Sequence, residues 1–214
     1  MNARIDAGGS APLVIEQMLP DADVEIAEHR IVDAGPARTY EAARAVDFLT
    51  VRTPLLDASM WVRGVPARVR GEPQPEIGSM RLADALDGGD MGLPGWLILG
   101  EERGRELAFG AVGRFWQPDI EWREVPLEQF REFDEPGWGK IAANFSVLPY
   151  GEHRTLLTYA CRVGTTDADA GRRFGRYWRL IRPFVGHIFR ATLATIAADA
   201  ERGAADQDLA RSRS

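Results

Sequence analysis

Seven acidic side chains crowd one stretch of this chain: Asp119, Glu121, Glu124, Glu128, Glu132, Asp134 and Glu135. Two carboxylates with divergent pKa values can share general acid–base work, so a run this dense raises that chemistry. Such a pair needs a shielded site, however, and this stretch alternates like the wet edge of a sheet; it is read as solvated surface. His29, His153 and His187 follow no metal-ligand spacing, and Cys161 is the single cysteine. One thiol can build neither a thiolate metal cluster nor an intramolecular disulfide. No catalytic residue, metal or cofactor is therefore expected. Arg114 presents a fork of donors that could hold a ligand carboxylate, or it pairs with Asp119, Glu121 or Glu124. The surface pair is the plainer reading. Asn144-Phe145-Ser146 fits a glycosylation acceptor but lies inside a strand pattern, and it is set aside.

The elements that must position these groups follow from periodicity. Val24 to Val32 reads as a strand. Asp33-Ala34-Gly35-Pro36 opens a helix to about Val46, with proline at the first position, where its missing N–H costs nothing. Thr53-Pro54 repeats that signal for a helix to about Val62, and a proline-rich connection spans Gly64 to Gly78. Ser79 to Leu86 could form one or two helical turns. The stretch 87–95 holds four glycines and is read as a loop able to serve as a lip. Trp96 to Glu102 and Arg105 to Trp116 form a hairpin around Arg103-Gly104. Asp119 to Val125 is a candidate strand, and Leu127 to Phe133 a short helical interruption. Gly139 to Leu148 and Arg154 to Val163 form a second hairpin. Ile141, Ala143, Phe145 and Val147 share one face, as do Leu157, Tyr159, Cys161 and Val163. Lys140, Asn144 and Ser146 fall opposite, which predicts a sheet with one face covered and one wet.

The strongest pattern lies near the C-terminus. Thr166 with Asp169 resembles a capping box. With Phe174 as origin and about 100° per residue, Trp178, Ile181, Val185, Ile188, Phe189, Thr192 and Ile196 fall within about 60° of one direction. Arg172, Arg176, Arg179 and Arg190 fall opposite, as do His187 and Pro183. His187 is thereby read as a surface histidine, and the carbonyl freed by Pro183 faces water. The buried Thr192 is expected to return its hydroxyl to the carbonyl four residues back.

Bulk properties set the frame. At 214 residues, 45% hydrophobic and 27% charged, the chain suits one globular core. Residues 1–22 are read as a flexible arm, 23–202 as the domain and 203–214 as a disordered tail. A net charge of −6 argues against bulk affinity for nucleic acid. No stretch approaches the ~20 apolar residues of a membrane span, and no export signal opens the chain, so a cytoplasmic protein without stable membrane insertion is expected.

Gly110-Ala111-Val112-Gly113-Arg114-Phe115-Trp116, Arg172-Arg173-Phe174, Tyr177-Trp178 and Ile181-Arg182-Pro183 resemble the START-like (SRPBCC) superfamily. This superfamily includes polyketide cyclase/dehydrase and lipid-transport proteins, and the likeness is closest to a bacterial subgroup without an assigned activity. The resemblance spans roughly residues 23 to 200. It implies an α+β helix-grip fold, a curved antiparallel sheet around a long C-terminal helix with a hydrophobic cavity between them. It supplies no catalytic motif.

On this reading Phe109, Phe115, Phe145, Tyr159, Trp178, Ile181, Val185 and Ile188 are candidates to line a cavity for a small apolar ligand, lipid- or polyketide-like. Solid core is the plain alternative. Two other functions stand beside binding. One is a cyclase or dehydratase using the same cavity, with Tyr159 its only polar group. The other is an interaction protein with a filled core, working through exposed Trp122 or Trp138 or as a homodimer.

Overall fold

The computed structural model describes residues 11–48, 82–86 and 95–211. The helix expected at 53–62, the connection 64–78 and the glycine loop short of Gly95 lie outside the described residues.

In chain order the elements are α1 (Val14–Met18), β1 (Val24–Val32), α2 (Pro36–Ala45), α3 (Leu82–Leu86), β2 (Trp96–Glu102), β3 (Glu106–Gly113), β4 (Trp122–Arg123), α4 (Leu127–Phe130), β5 (Gly139–Tyr150), β6 (Arg154–Thr165) and α5 (Ala168–Arg211). The six strands form one antiparallel sheet in the order β1-β6-β5-β3-β2, with β4 on β3. This is the α+β helix-grip arrangement, with α5 packed against β1, β6 and α2. The β2–β3 hairpin turns through Gly104, whose φ of 75° is a left-handed conformation that glycine adopts without steric cost. Gly110 lets β5 and Leu99 approach closely, since a Cβ there would lie 2.8 Å from the Leu99 Cδ1.

The strand faces follow the sequence alternation. Phe109, Ala143 and Cys161 lie abreast through paired registers, as do Leu107, Phe145 and Tyr159 one row away. Leu107, Phe109, Phe145, Val147 and Leu157 are buried on this inner face with Phe189, Leu193 and Ile196 of α5.

The outer face departs from expectation. It is not wet at its centre: α1 and α4 cover it, and Ile15, Leu19, Leu99, Ala108, Val112, Phe130, Trp138 and Ala142 form a second core there. Residues 14–19 are therefore packed structure and not a loosely attached arm. Asn144 and Ser146, predicted to face water, are buried. Trp138 is buried and Trp122 half-buried, which removes Trp138 as an exposed interface residue. The polar groups sealed beneath α1 centre on Glu106, while Asn144 Oδ1 is buried without a partner. The buried Glu106 carboxylate accepts from the Val14 N–H (2.6 Å), the Ile15 N–H (3.3 Å) and Asn144 Nδ2 (2.7 Å). Burial of polar groups is tolerated when they are paired in this way.

The α5 start is shifted by one residue from the expected cap. Asp167 accepts from the Ala170 N–H (2.9 Å), the Asp169 N–H (2.7 Å) and the Gly137 N–H. Thr166 instead bonds to the backbone of Trp138. The helix continues through Arg211, beyond the end expected near 202. Pro183 sits inside it on an exposed position, as the wheel predicts, and the Thr192 hydroxyl donates to the Ile188 carbonyl at 2.9 Å.

Candidate functional site

Two aromatic groups pack between the sheet and α5, one near the N-terminal end of the helix and one at its midpoint. Near the N-terminal end, Phe174 meets Phe115 edge-on (5.6 Å, 87°) and Trp178 at a tilt (5.9 Å, 34°). Phe115, Val163 and Phe174 are buried there, with Ile141, Cys161 and Trp178 partly buried around them. Near the midpoint of α5, Phe189 stacks on Tyr159 at 3.8 Å and 14°, and Tyr159 lies 4.5 Å from Phe145. Phe109 joins them at 5.9 Å from Phe145 and 6.3 Å from Tyr159.

The eight candidate residues are thus divided. Phe109, Phe145 and Tyr159 belong to one packed cluster, with Val185 against it. Phe115 and Trp178 belong to another. Ile181 and Ile188 are half-buried and belong to neither group of the described residues. Trp178, Ile181, Val185 and Ile188, on the stripe aimed at the sheet, all keep part of their surface open. The inner row between the aromatic clusters carries small side chains at its centre, Ala143 and Cys161. Small side chains thus lie in the sheet row between the two aromatic groups, and the helix stripe facing the sheet is only partly covered over 178–188.

Polar groups bordering this space are few. Burial holds the Tyr159 phenol far above its ordinary pKa, with Cys161 adding to the effect, and no described residue hydrogen-bonds its hydroxyl. It remains a donor and does not become a base. Burial likewise pushes the Cys161 thiol up to about 12, which fits the expectation of an inert core cysteine.

Sequence reasoning missed three contributors. Trp96 lies against Phe109 and Trp122 (6.0 and 5.9 Å), and its indole N–H is enclosed without a hydrogen-bond partner. Phe48 packs against Phe109 and Phe145. Tyr40, buried on α2, donates to Glu101 Oε1 at 2.6 Å, and Arg44 Nε lies 3.6 Å from the same oxygen. Burial first, then the Glu101 hydrogen bond, raises the Tyr40 pKa well above its usual value. The signal for Tyr40 was a helix at Pro36 with Tyr40, Ala43 and Arg44 at one-turn spacing.

Two other sequence readings resolve plainly. Arg114 pairs with Glu121 at 2.8 Å, donates to the Gly137 carbonyl at 3.1 Å and lies 4.2 Å over Trp138. It is a surface pair beyond the outer core. His187 is not a plain surface histidine, for it is half-buried and its Nε2 is enclosed without a partner. Helix α5 is tied to β1 by Arg190 and Glu28 at 2.5 Å. Among the described residues no group of His, Cys, Asp and Glu could hold a metal ion, and no helix is long and apolar enough to cross a membrane.

No family model matches this chain, and no curated protein matches it by sequence. Solved structures do trace a similar path. An aromatase/cyclase, ZhuI from Streptomyces sp. R1128, is 10% identical over 84% of this chain and 94% of its own, with a TM-score of 0.30. CalU16 from Micromonospora echinospora is 15% identical over 84% of each chain, with a TM-score of 0.28. A protein from Arthrobacter aurescens is 11% identical over 85% of this chain and 91% of its own, with a TM-score of 0.36. At such scores these likenesses carry no argument about chemistry, and the fold assignment rests on the chain's own topology.

Proposed function

We propose that this protein binds a small hydrophobic or amphipathic molecule, lipid- or polyketide-like, between the inner sheet face and the 178–188 stretch of α5. The observation that supports it is the contrast along one apolar stripe. Phe174, Phe189, Leu193 and Ile196 are buried, whereas Trp178, Ile181, Val185 and Ile188 between Phe174 and Phe189 stay partly open. Ligand sites are typically mostly apolar with a few polar groups that fix orientation. Here the Tyr159 hydroxyl supplies a donor for a ligand oxygen.

A cyclase or dehydratase reading uses the same space, and Tyr159 is the group that favours it. Its phenol, held protonated, could act only as an acid or hydrogen-bond donor.

Native mass spectrometry of the gently purified protein tests the binding reading. A retained lipid-sized molecule, or uptake of an apolar dye, is expected. Trp178→Arg should abolish that uptake while circular dichroism reports an intact fold. Repeated absence of both ligand and dye uptake in the unmodified protein would sink the proposal. If a substrate emerges, unchanged turnover in Tyr159→Phe removes Tyr159 from the enzymatic reading.

A further inference from the structure

Lys140 is the sole lysine of the chain; every other one of its 26 basic side chains is arginine. The difference is chemical, because a guanidinium stays protonated under ordinary conditions while an amine can lose its proton and attack a carbonyl carbon. Lys140 lies on the outer face of β5, opposite Val112 of β3 and Gly164 of β6. It is half-buried, and its Nζ donates to the Arg131 carbonyl at 2.8 Å. It borders a hollow of about 390 Å³ with Leu19, Pro20 and Phe133 as apolar lining and exposed Asp21, Glu132 and Asp134 as acidic lining. The one charged arginine there, Arg131, lies 3.6 Å from Glu132 and is locally offset. This hollow is on the opposite side of the sheet from the proposed ligand site.

We propose that Lys140 is a covalent capture site for uncharged aldehydes with an apolar body. Leu19, Pro20 and Phe133 suit the apolar body, and the carboxylates disfavour an anionic one. The neutral Nζ attacks the aldehyde carbon, forming a C–N bond as the C=O π pair moves to oxygen. Both nitrogen hydrogens leave with that oxygen as water, giving an imine, with no oxidant or reductant consumed. Partial burial favours the neutral amine and lowers the lysine pKa, against the upward pull of Glu132 and Asp134. A purely structural lysine, bonded to the 131 carbonyl to hold the α4–β5 connection, would share the half-burial but not the reactivity.

The full chain is treated at pH 7 with benzaldehyde and cyanoborohydride, which fixes an imine as a stable secondary amine. Intact mass and peptide mapping then follow Lys140 against Nα-acetyl-lysine amide in the same tube. Labelling of Lys140 is expected to exceed the free amine by ~10-fold, since burial lowers its pKa and the apolar lining holds the aldehyde. The excess should vanish in denaturing urea, the site should be silent in Lys140→Arg, and 4-carboxybenzaldehyde should react several-fold more slowly. Labelling of the native chain no faster than the free amine overturns the proposal, as does an excess that survives urea. Equal rates with the two aldehydes overturn its charge selection.

Discussion

The two faces of the sheet handle burial in opposite ways. The outer face is sealed by short elements that bring polar groups with them: α1 lays Ile15 and Leu19 on the strands, and Glu106 accepts three hydrogen bonds under its first turn. The inner face has a single long helix, with tight aromatic packing near its start and at its midpoint and half-open aliphatic residues between. A short helix can adapt to the surface it covers, because its few side chains need only one local fit. A long, stiff helix across a curved sheet meets it closely at some turns and loosely at others.

Breaking the outer face should have the largest effect. Glu106→Ala leaves two backbone N–H groups and the Asn144 amide without their acceptor, each buried or partly buried. Unpaired buried donors cost about 1–3 kcal/mol apiece, so a loss on the order of 3–5 kcal/mol is expected in urea denaturation. Glu106→Gln keeps one acceptor oxygen and should cost clearly less. If Glu106→Ala unfolds at the unmodified midpoint, the outer face is held by its apolar contacts alone.

The inner face offers the same side chain in two settings. Ile196 is fully buried on α5 past its midpoint, and Ile181 is half-buried in its N-terminal half. Ile196→Ala should cost about 2–5 kcal/mol, the range for truncating a buried aliphatic residue. Ile181→Ala should cost about 1 kcal/mol or less, since much of the removed surface already meets solvent. It should nevertheless reduce apolar-dye uptake. Equal destabilisation by the two changes would mean that the helix is packed evenly and that no hollow exists beneath it.

This contrast also explains what could be read from sequence. The wheel placed Phe174, Phe189, Thr192 and Ile196 correctly, because a long helix repeats its pattern often enough for one direction to dominate. Alternation placed Phe145 and Tyr159 on the inner face for the same reason. It failed on Asn144 and Ser146, because periodicity equates polar with wet and cannot see a covering element. The cover itself, α1, is five residues long, too short for a periodic signal, although Ile15 and Leu19 have the spacing of one helical turn. His187 was misplaced by a related assumption, that a helix has one covered side. The division of the eight site candidates was illegible too, since a wheel gives direction and not packing density.

The smallest expected effect concerns the cap of the helix that forms the inner face. Hydrogen bonds from the Ala170 N–H, then the Gly137 and Asp169 N–H groups, hold the Asp167 carboxyl below its ordinary pKa, against a smaller opposing effect of desolvation. A depressed folded-state pKa contributes stability that is present above the unfolded value, near 4 for an aspartate, and is lost as pH falls through the folded value. Asp167→Asn keeps an acceptor for the first turn of α5 but gives up the charge and one of the oxygens serving Gly137 and the helix. Its melting temperature should lie slightly below that of the unmodified chain at neutral pH, and the gap should close as pH drops below about 4. A gap that stays constant from pH 7 to pH 3 would show that the charge of Asp167 contributes nothing, leaving the cap to its hydrogen-bond geometry alone.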